Sequence, residues 1–397
     1  MARKLNVLMA THNYPRFRGD FAGVFIELLA RRLVEHDIQP IIVAPHARGA
    51  EVYEQVNGVK IYRFRYADKE SDENLAYHGN MHRLVLGSVG GVFRFKRFLD
   101  CFRQAVWQAI EKEQVDALVG HWLIPSGMVL KTVNQRMKLP TFMYSHGTDV
   151  RLARKYFKVA YRYLKDFCLR LNRWTVVSSY LKDEIVALDP RLESILEVLA
   201  VPHDETTFYR DDAIAKEDNL VVSVTRFTEQ KRVDFLVKAF ALVSEKCPQA
   251  KLEIYGSGPL QPTIEKMIER FGLTQKITIN APVTQNELRR VYNRAAMVVL
   301  NSYQEGFGLA LSEAMLCGTA VIGTDSGGIT DIIQNETRGL LVKPDNAAAL
   351  AGAIERLLSD KNLRDTLAAE GHSHAGRAYA SGALGERYAA IIRNALA

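Results

Sequence analysis

Cysteine is scarce in this chain. Its 397 residues include four, Cys101, Cys168, Cys247 and Cys317. None stands in a CxxC pair or beside a CxH cluster, which excludes a disulfide framework and a cysteine-built zinc site. Each is read as a small buried hydrophobe, and a reducing, cytoplasmic compartment is expected. Long apolar runs are also missing, since no stretch approaches the ~18 residues that a membrane span needs. The opening MARKLNVLMATHNYP has only about five apolar residues in a row, too few for a signal peptide and suited to a first β-strand. No GxGxxG follows that strand, so the dinucleotide fingerprint is absent. There is no low-complexity segment and no short solenoid repeat.

What is present is ordinary globular composition, 48% apolar and 24% charged, in a chain long enough for two or three domains. Charge is the unusual quantity. Residues 1–202 carry 30 Lys+Arg against 21 Asp+Glu, and the remainder 22 against 24. All of the net +7 therefore lies in the first half, which predicts an anionic partner there. No recognisable nucleic-acid module accompanies it, so nucleic acid is not the expected partner.

Hydrophobic runs and helical periods alternate. LNVLMA (5–10), PIIVAP (40–45), DALVGHW (116–122), TFMYSHG (141–147) and RWTVVSS (173–179) read as buried strands, with FIELLARRLVEH and FRQAVWQAIEKE as helices between them. The pattern restarts with LVVSVTR (220–226), KLEIYG (251–256), KITIN (276–280), MVVLNS (297–302), TAVIGT (319–324) and GLLVK (339–343). Such alternation predicts α/β units whose parallel sheets are covered on both faces. The stretch from about 190 to 216, with Pro190 and Pro202, is expected to link the two units.

Residues 301–318, NSYQEGFGLALSEAMLCG, carry the clearest chemistry. A strand ends near Ser302, glycines 306 and 308 follow, and a helix runs to a glycine C-cap at Gly318. Glycines ahead of a helix N-terminus let backbone N–H groups reach an anion, and the helix dipole adds favourable partial charge. A carboxylate beside a phosphate repels it, so Glu305 and Glu313 make better sense as acceptors for sugar hydroxyls. Read alone, the segment would equally be a turn with two solvated glutamates.

EGFGLALSE resembles the Glu–seven residues–Glu signature of the family 4 retaining glycosyltransferases (group 1), whose fold is shared with glycogen phosphorylase. Similarity is strong over about 219–360 and recognisable over 5–180. The resemblance implies an α/β protein of two facing Rossmann-like domains (GT-B type) with the active-site cleft between them. Residues 1–200 would form the acceptor-binding domain and 201–378 the nucleotide-sugar-binding domain, with a helix in 379–397 packing back on the first. It further implies that Glu305 binds hydroxyls of a donor hexose, that Glu313 binds the nucleotide ribose, and that the amides of Gly306, Phe307, Gly308 and Leu309 face sugar and phosphates.

The other motifs follow the same resemblance. SVTRFTEQKRVDF gives Arg226 and Lys231, two cations at a strand end that stabilise the departing diphosphate without a metal. The family's flanking glycines are Thr225 and Arg232 here. YSHGTDV gives His146, facing the donor sugar, and Asp149 on the donor side. The glycine-rich loop after strand one is reduced to Gly19 and Gly23, with Asp20 near the expected second glycine; Gly19 is assigned to the donor phosphate or the acceptor. YGSGPL places Gly256 and Gly258 at the base and ribose, with Val283 beside the base. Gly327 and Gly328 form a second glycine turn, read as structural. His121, at another strand end, is expected to line the acceptor side.

No Asp–x–Asp stands where a metal–diphosphate site would need it, so no metal and no cofactor is expected; the nucleotide sugar is a co-substrate. Two basic stretches, 151–174 with apolar residues at helical spacing and 84–103 with cations alternating with phenylalanines, read either as attachment to the anionic inner face of a membrane or as a solvated basic face over an ordinary core helix. The expected activity is transfer of a hexose from a UDP- or GDP-sugar to a glycan or lipid-linked acceptor, in cell-surface polysaccharide or glycolipid synthesis. A nucleotide-sugar-binding protein without turnover and an epimerase of the same fold are the alternatives. The sequence fixes neither donor base, acceptor nor oligomeric state.

Overall fold

The computed structural model describes residues 4–20, 22–77, 81–147, 149–150 and 161–396. The chain divides into two compact units, Met1–Pro202 with Ser381–Ala397, and His203–Ala380.

The first unit holds strands β1 (Leu5–Ala10), β2 (Ile38–Pro45), β3 (Tyr53–Val56), β4 (Val59–Phe64), β5 (Ala117–His121), β6 (Thr141–Ser145), β7 (Arg173–Val176) and β8 (Leu196–Val198). They lie in the order β3-β4-β2-β1-β5-β6-β7-β8. All pairs are parallel except β3 on β4. The chain works outward from β1 in one direction and then from β5 in the other. That reversal leaves a crevice beyond the carboxyl ends of β1 and β5, where open α/β sheets bind ligands. Every residue of β5 and β6 is buried, as expected of strands covered on both faces.

The β3–β4 hairpin and β8 fall outside the sequence reading, which closed this half at β7 and placed 190–216 in a linker. The hairpin had a usable signal. Asn57 and Gly58 both adopt positive φ, 51° and 80°, the pair of left-handed residues that a tight hairpin turn demands. At three residues, β8 is too short for alternation to reveal. The predicted basic helix of 151–174 is described only in part: residues 151–160 lie outside the described residues, and 161–168 are helical. The last helix, Ser381–Asn394, packs on the Val24–Glu35 helix. Arg32 donates to Ser381 Oγ at 2.9 Å, and the Tyr388 ring lies 5.5 Å from Tyr144.

The second unit holds β9 (Glu217–Val224), β10 (Lys251–Tyr255), β11 (Ile277–Asn280), β12 (Ala295–Leu300), β13 (Ala320–Thr324) and β14 (Leu340–Val342). They form an all-parallel sheet in the order β11-β10-β9-β12-β13-β14. The direction reverses between β9 and β12, so a second crevice opens beyond their carboxyl ends. Helix Val233–Lys246 shows why this sheet is covered: Val233, Leu236, Val237, Phe240 and Val243 repeat at helical spacing and are all buried. Each such side chain contributes about 1.5–3 kcal/mol through burial. All four cysteines are free, and burial pushes the Cys168 and Cys317 thiols up to about 12. Cys101 and Cys247 are only half-buried.

Candidate functional site

In the second unit, the loops leaving β9 and β12 meet. Lys231, on the loop after β9, forms an ion pair with Glu305, on the loop after β12. Both side chains keep a little exposure, 17% and 16%. Burial alone would raise the Glu305 carboxyl. The Lys231 cation opposes this, with hydrogen bonds from Ser302 and the Gly306 amide, and the net result is a lowered pKa. Glu305 is therefore an ionised acceptor.

Its loop is held on two sides. Tyr303 N–H donates to the Gln230 carbonyl at 2.8 Å, Gln230 donates to the Gln304 carbonyl at 3.1 Å, and Asn301 donates to the Arg232 carbonyl at 3.1 Å. On the far side Gln304 N–H donates to Ser326 Oγ at 2.9 Å, and Gly328 N–H to the Glu305 carbonyl at 2.7 Å. Gly327 permits this approach, because a Cβ there would lie 2.4 Å from the Glu305 carbonyl oxygen. The second glycine turn thus braces Glu305 from behind, in keeping with its structural reading.

Gly308, at φ 116°, caps the Leu309–Leu316 helix, which has no side-chain cap and no acidic residue in its first turn. Such an end suits an anion. Phe307 turns inward against Tyr379, with ring centroids 5.5 Å apart, so only its backbone is available to a ligand. Leu309 is exposed. One turn into the helix, Glu313 accepts from the Tyr292 hydroxyl at 3.0 Å. Burial drives its carboxyl up to about 7, and the Tyr292 hydrogen bond only partly opposes this.

Arg226 is exposed at the end of β9, and its guanidinium has no ion-pair partner among the described residues. Gly256 and Gly258 have a packing reason. A Cβ on Gly256 would sit 1.8 Å from the Thr225 carbonyl oxygen, and one on Gly258 2.6 Å from that of Phe227. These glycines bring the β10 turn against the loop that carries Arg226. Val283 is exposed on the loop after β11.

In the first unit, three histidines gather beyond the carboxyl ends of β1, β5 and β6. His121 ends β5, His12 follows β1 and His146 follows β6. His121 Nδ1 lies 3.0 Å from His146 Nε2, with the rings 6° from parallel. Trp122 packs on His12 and His146, at 4.6 Å in each case, and Phe25 on His146 at 4.7 Å. Burial lowers His12 to about 4, His121 to about 3 and His146 well below its ordinary value. All three rings are neutral near pH 7.

Two expectations change here. His121 is wholly buried and so lines no acceptor surface; it contacts His146 instead. Asp149 is expected on the donor side, but its carboxylate is also buried and is held by Ser145 and by backbone N–H groups. It accepts from Leu123 N–H at 2.9 Å and Gly147 N–H at 3.2 Å. That ties the residue after His146 to the segment after His121. Burial nevertheless raises the Asp149 pKa, against these hydrogen bonds. Gly19 is an exposed turn at φ 89°, and a Cβ there would meet nothing within 4 Å among the described residues. Beside it, Asp20 stands where a second glycine was expected, locked to Arg16 at 2.7 and 3.1 Å.

Each unit thus gathers polar side chains at a sheet switch point, histidines in the first and an ion pair beside a helix N-terminus in the second. The pattern of "Glycosyltransferase Family 4" fits residues 22–195, and that of "Glycosyl transferases group 1" fits residues 204–374. The chain belongs to the family 4, group 1 glycosyltransferases. It is 32% identical to an uncharacterized glycosyltransferase of Methanocaldococcus jannaschii over 162 residues, 41% of each chain. In fold it is similar to sucrose-phosphate synthase from Thermosynechococcus elongatus, with TM-score 0.80, 20% identity and 99% of each chain covered. It is also similar to Anabaena HepE in complex with UDP and glucose, with TM-score 0.74, 15% identity, and 98% of this chain and 100% of that one covered. The fold of this glycosyltransferase is GT-B.

The structure of the glycosyltransferase adds residues that its sequence did not single out. His12 had a signal, being the second residue beyond a buried first strand at a switch point. Tyr292, Gln230 and Ser326 had none, since each acts through contacts distant in sequence.

Proposed function

We propose that this glycosyltransferase moves a hexose from a UDP- or GDP-sugar to a hydroxyl of a glycan or lipid-linked acceptor, with retention and without a metal. The Lys231–Glu305 pair beside the uncapped Leu309–Leu316 helix carries the reading. Lys231 has three N–H donors, and Glu305 occupies one. The others face a diphosphate, joined by the exposed Arg226 and the amides at the helix start. Negative charge grows on the diphosphate as the glycosidic bond breaks, and fixed cations lower the barrier for that step. Glu305 and Glu313 accept hydroxyls of hexose and ribose on either side. The acceptor hydroxyl attacks from the face the diphosphate leaves, and the leaving phosphate takes its proton. His146 donates to a sugar hydroxyl from the first unit.

The membrane reading rests on the hairpin of helices Met81–Leu86 and Val89–Glu113. Leu86, Val89, Val92 and Phe93 are each more than half exposed there, beside the exposed Arg94 and Lys96. Phe98 and Phe102 turn inward instead, onto Phe64. An apolar tip with adjacent cations suits an anionic lipid surface. Among the described residues, no helix is long and apolar enough to cross a membrane.

A thermal-shift panel of UDP, GDP, ADP and their hexose conjugates, with and without EDTA, tests the donor site. One nucleotide class at 100 times its dissociation constant adds about 2.7 kcal/mol of stability. That gain is expected to persist in EDTA and to vanish in Glu313→Ala. No shift from any nucleotide refutes the donor site. Tight binding with no product under any acceptor selects the binding-protein alternative, and an isomerised nucleotide sugar selects the epimerase.

A further inference from the structure

Lys231 and Glu305 meet from two loops, and left-handed backbone flanks both. Arg232, next after Lys231, has φ 49°, and Gln304, next before Glu305, has φ 48°. Glycine takes this conformation freely, whereas a residue with a Cβ is strained in it. At Arg232 the surroundings impose it. The residue is the single link between the turn Glu229–Lys231 and helix Val233–Lys246. Its carbonyl accepts from Phe235 N–H at 3.0 Å and from Asn301, just beyond β12, at 3.1 Å.

The side chain is what a glycine here would lack. The Arg232 guanidinium lies 5.9 Å from the centre of the Tyr303 ring and 5.7 Å from that of Phe235. It pairs with Asp345, its Nε 2.9 Å from Oδ1 and its Nη2 donating to Oδ2 at 3.3 Å. One side chain therefore spans three loops: its own after β9, that of Tyr303 after β12 and that of Asp345 after β14. The two partners are 34% and 40% exposed, and an ion pair so open to water adds little stability. It does not offset the backbone strain. What the pair does supply is position, because Arg232 adjoins Lys231 and Tyr303 lies two residues before Glu305.

We propose that Arg232 is a positioning residue for the Lys231–Glu305 pair: its guanidinium, held by Asp345 and laid over Tyr303, keeps the two loops together. The effect on hexose transfer rests on the proposed function. The positioning of Glu305 against Lys231 does not.

The test is 13C NMR of the full chain labelled at the glutamate carboxyl, with Glu305 assigned by its loss in Glu305→Gln. In the wild type the Lys231 cation holds Glu305 below the ordinary carboxylate range. Arg232→Gly and Asp345→Asn are each expected to raise the Glu305 midpoint, with the melting temperature kept within about 2 °C. Charge acting through space would give opposite signs, a rise on losing the cation and a fall on losing the anion. A rise in both variants therefore marks movement of the loop. The double variant should rise no further than either single one, and Arg232→Lys, which keeps the cation, should hold the wild-type midpoint. In turnover, both single variants should lower kcat at least about tenfold and leave donor KM within about twofold. A midpoint that falls or stays fixed in Asp345→Asn, or effects that simply add in the double variant, overturns the proposal. The NMR needs no substrate. A wild-type protein that consumes no nucleotide sugar would count against the proposed function, while the Glu305 titrations still decide the role of Arg232.

Discussion

Glu313→Gln is expected to stabilise the second unit above neutral pH while weakening its hold on donor. The Glu313 carboxyl sits at about 7 in the fold, against an ordinary 4.5. Between those values the folded state keeps a proton that the unfolded chain has lost. Stability therefore falls as pH rises from about 4.5 to about 7, by up to ~3 kcal/mol. Glu313 is half-buried, and solvent screening reduces the working figure to about 2 kcal/mol. Glutamine still accepts from the Tyr292 hydroxyl but carries no charge, so this pH dependence disappears with the substitution. At pH 8 the variant is expected to melt about 4–8 °C above wild type, given roughly 2–4 °C per kcal/mol for a unit of this size. At pH 4 the two should nearly coincide. Ribose hydroxyls bond more strongly to a carboxylate than to an amide, so nucleotide affinity should fall about tenfold. Calorimetry of both proteins at pH 4 and 8 decides the matter. A variant no more stable than wild type at pH 8, or one with the same pH dependence, refutes the reasoning.

The ion pair gives a second prediction. Lys231→Ala strands the Glu305 carboxylate and removes a phosphate cation, so kcat/KM for donor consumption should fall at least about a hundredfold, measured by nucleotide release. Arg226 is already exposed, with no ion-pair partner among the described residues, so Arg226→Ala should leave the melting temperature within about 1 °C yet lower donor kcat/KM. Unchanged activity would remove Arg226 from the site. Asp149→Ala leaves the Leu123 and Gly147 N–H groups unpaired inside the protein and should cost about 2–4 kcal/mol in denaturant unfolding. Replacing Val89 and Phe93 together by Glu should abolish co-sedimentation with phosphatidylglycerol vesicles without altering nucleotide-induced stabilisation. Retained sedimentation would contradict the lipid role of that hairpin.

The second unit was the more legible half. Its strands are short continuous apolar runs bounded by helices of clear period, and EGFGLALSE lies wholly on one loop and one helix. The residues that make the site rigid were not legible. Gln230, Ser326 and Gly327 brace the Glu305 loop from 21 to 75 positions away, and nothing in their own neighbourhoods marks them. In the first unit, burial misdirected the reading. His121 ends β5 and Asp149 lies just beyond β6, but the sequence could not tell that both face inward, one toward a histidine and the other toward Ser145 and backbone amides. The Asn57–Gly58 turn is a legible signal, but the strands beside it, four and six residues long, are too short and mixed for periodicity to mark. Asp20, noted as a departure from the family's glycine, proves to lock Arg16 and tie its loop.

Transfer itself is tested most directly by proton NMR of the sugar. The wild-type protein is incubated in EDTA with each UDP- and GDP-hexose, with water as the minimal acceptor, and the anomeric signals are followed from the first turnover. The account predicts that one α-linked donor is consumed, that the first-formed sugar has the α configuration, and that Lys231→Ala stops the reaction. A first-formed β sugar would contradict retention. Undiminished turnover in Lys231→Ala would contradict the assignment of the site.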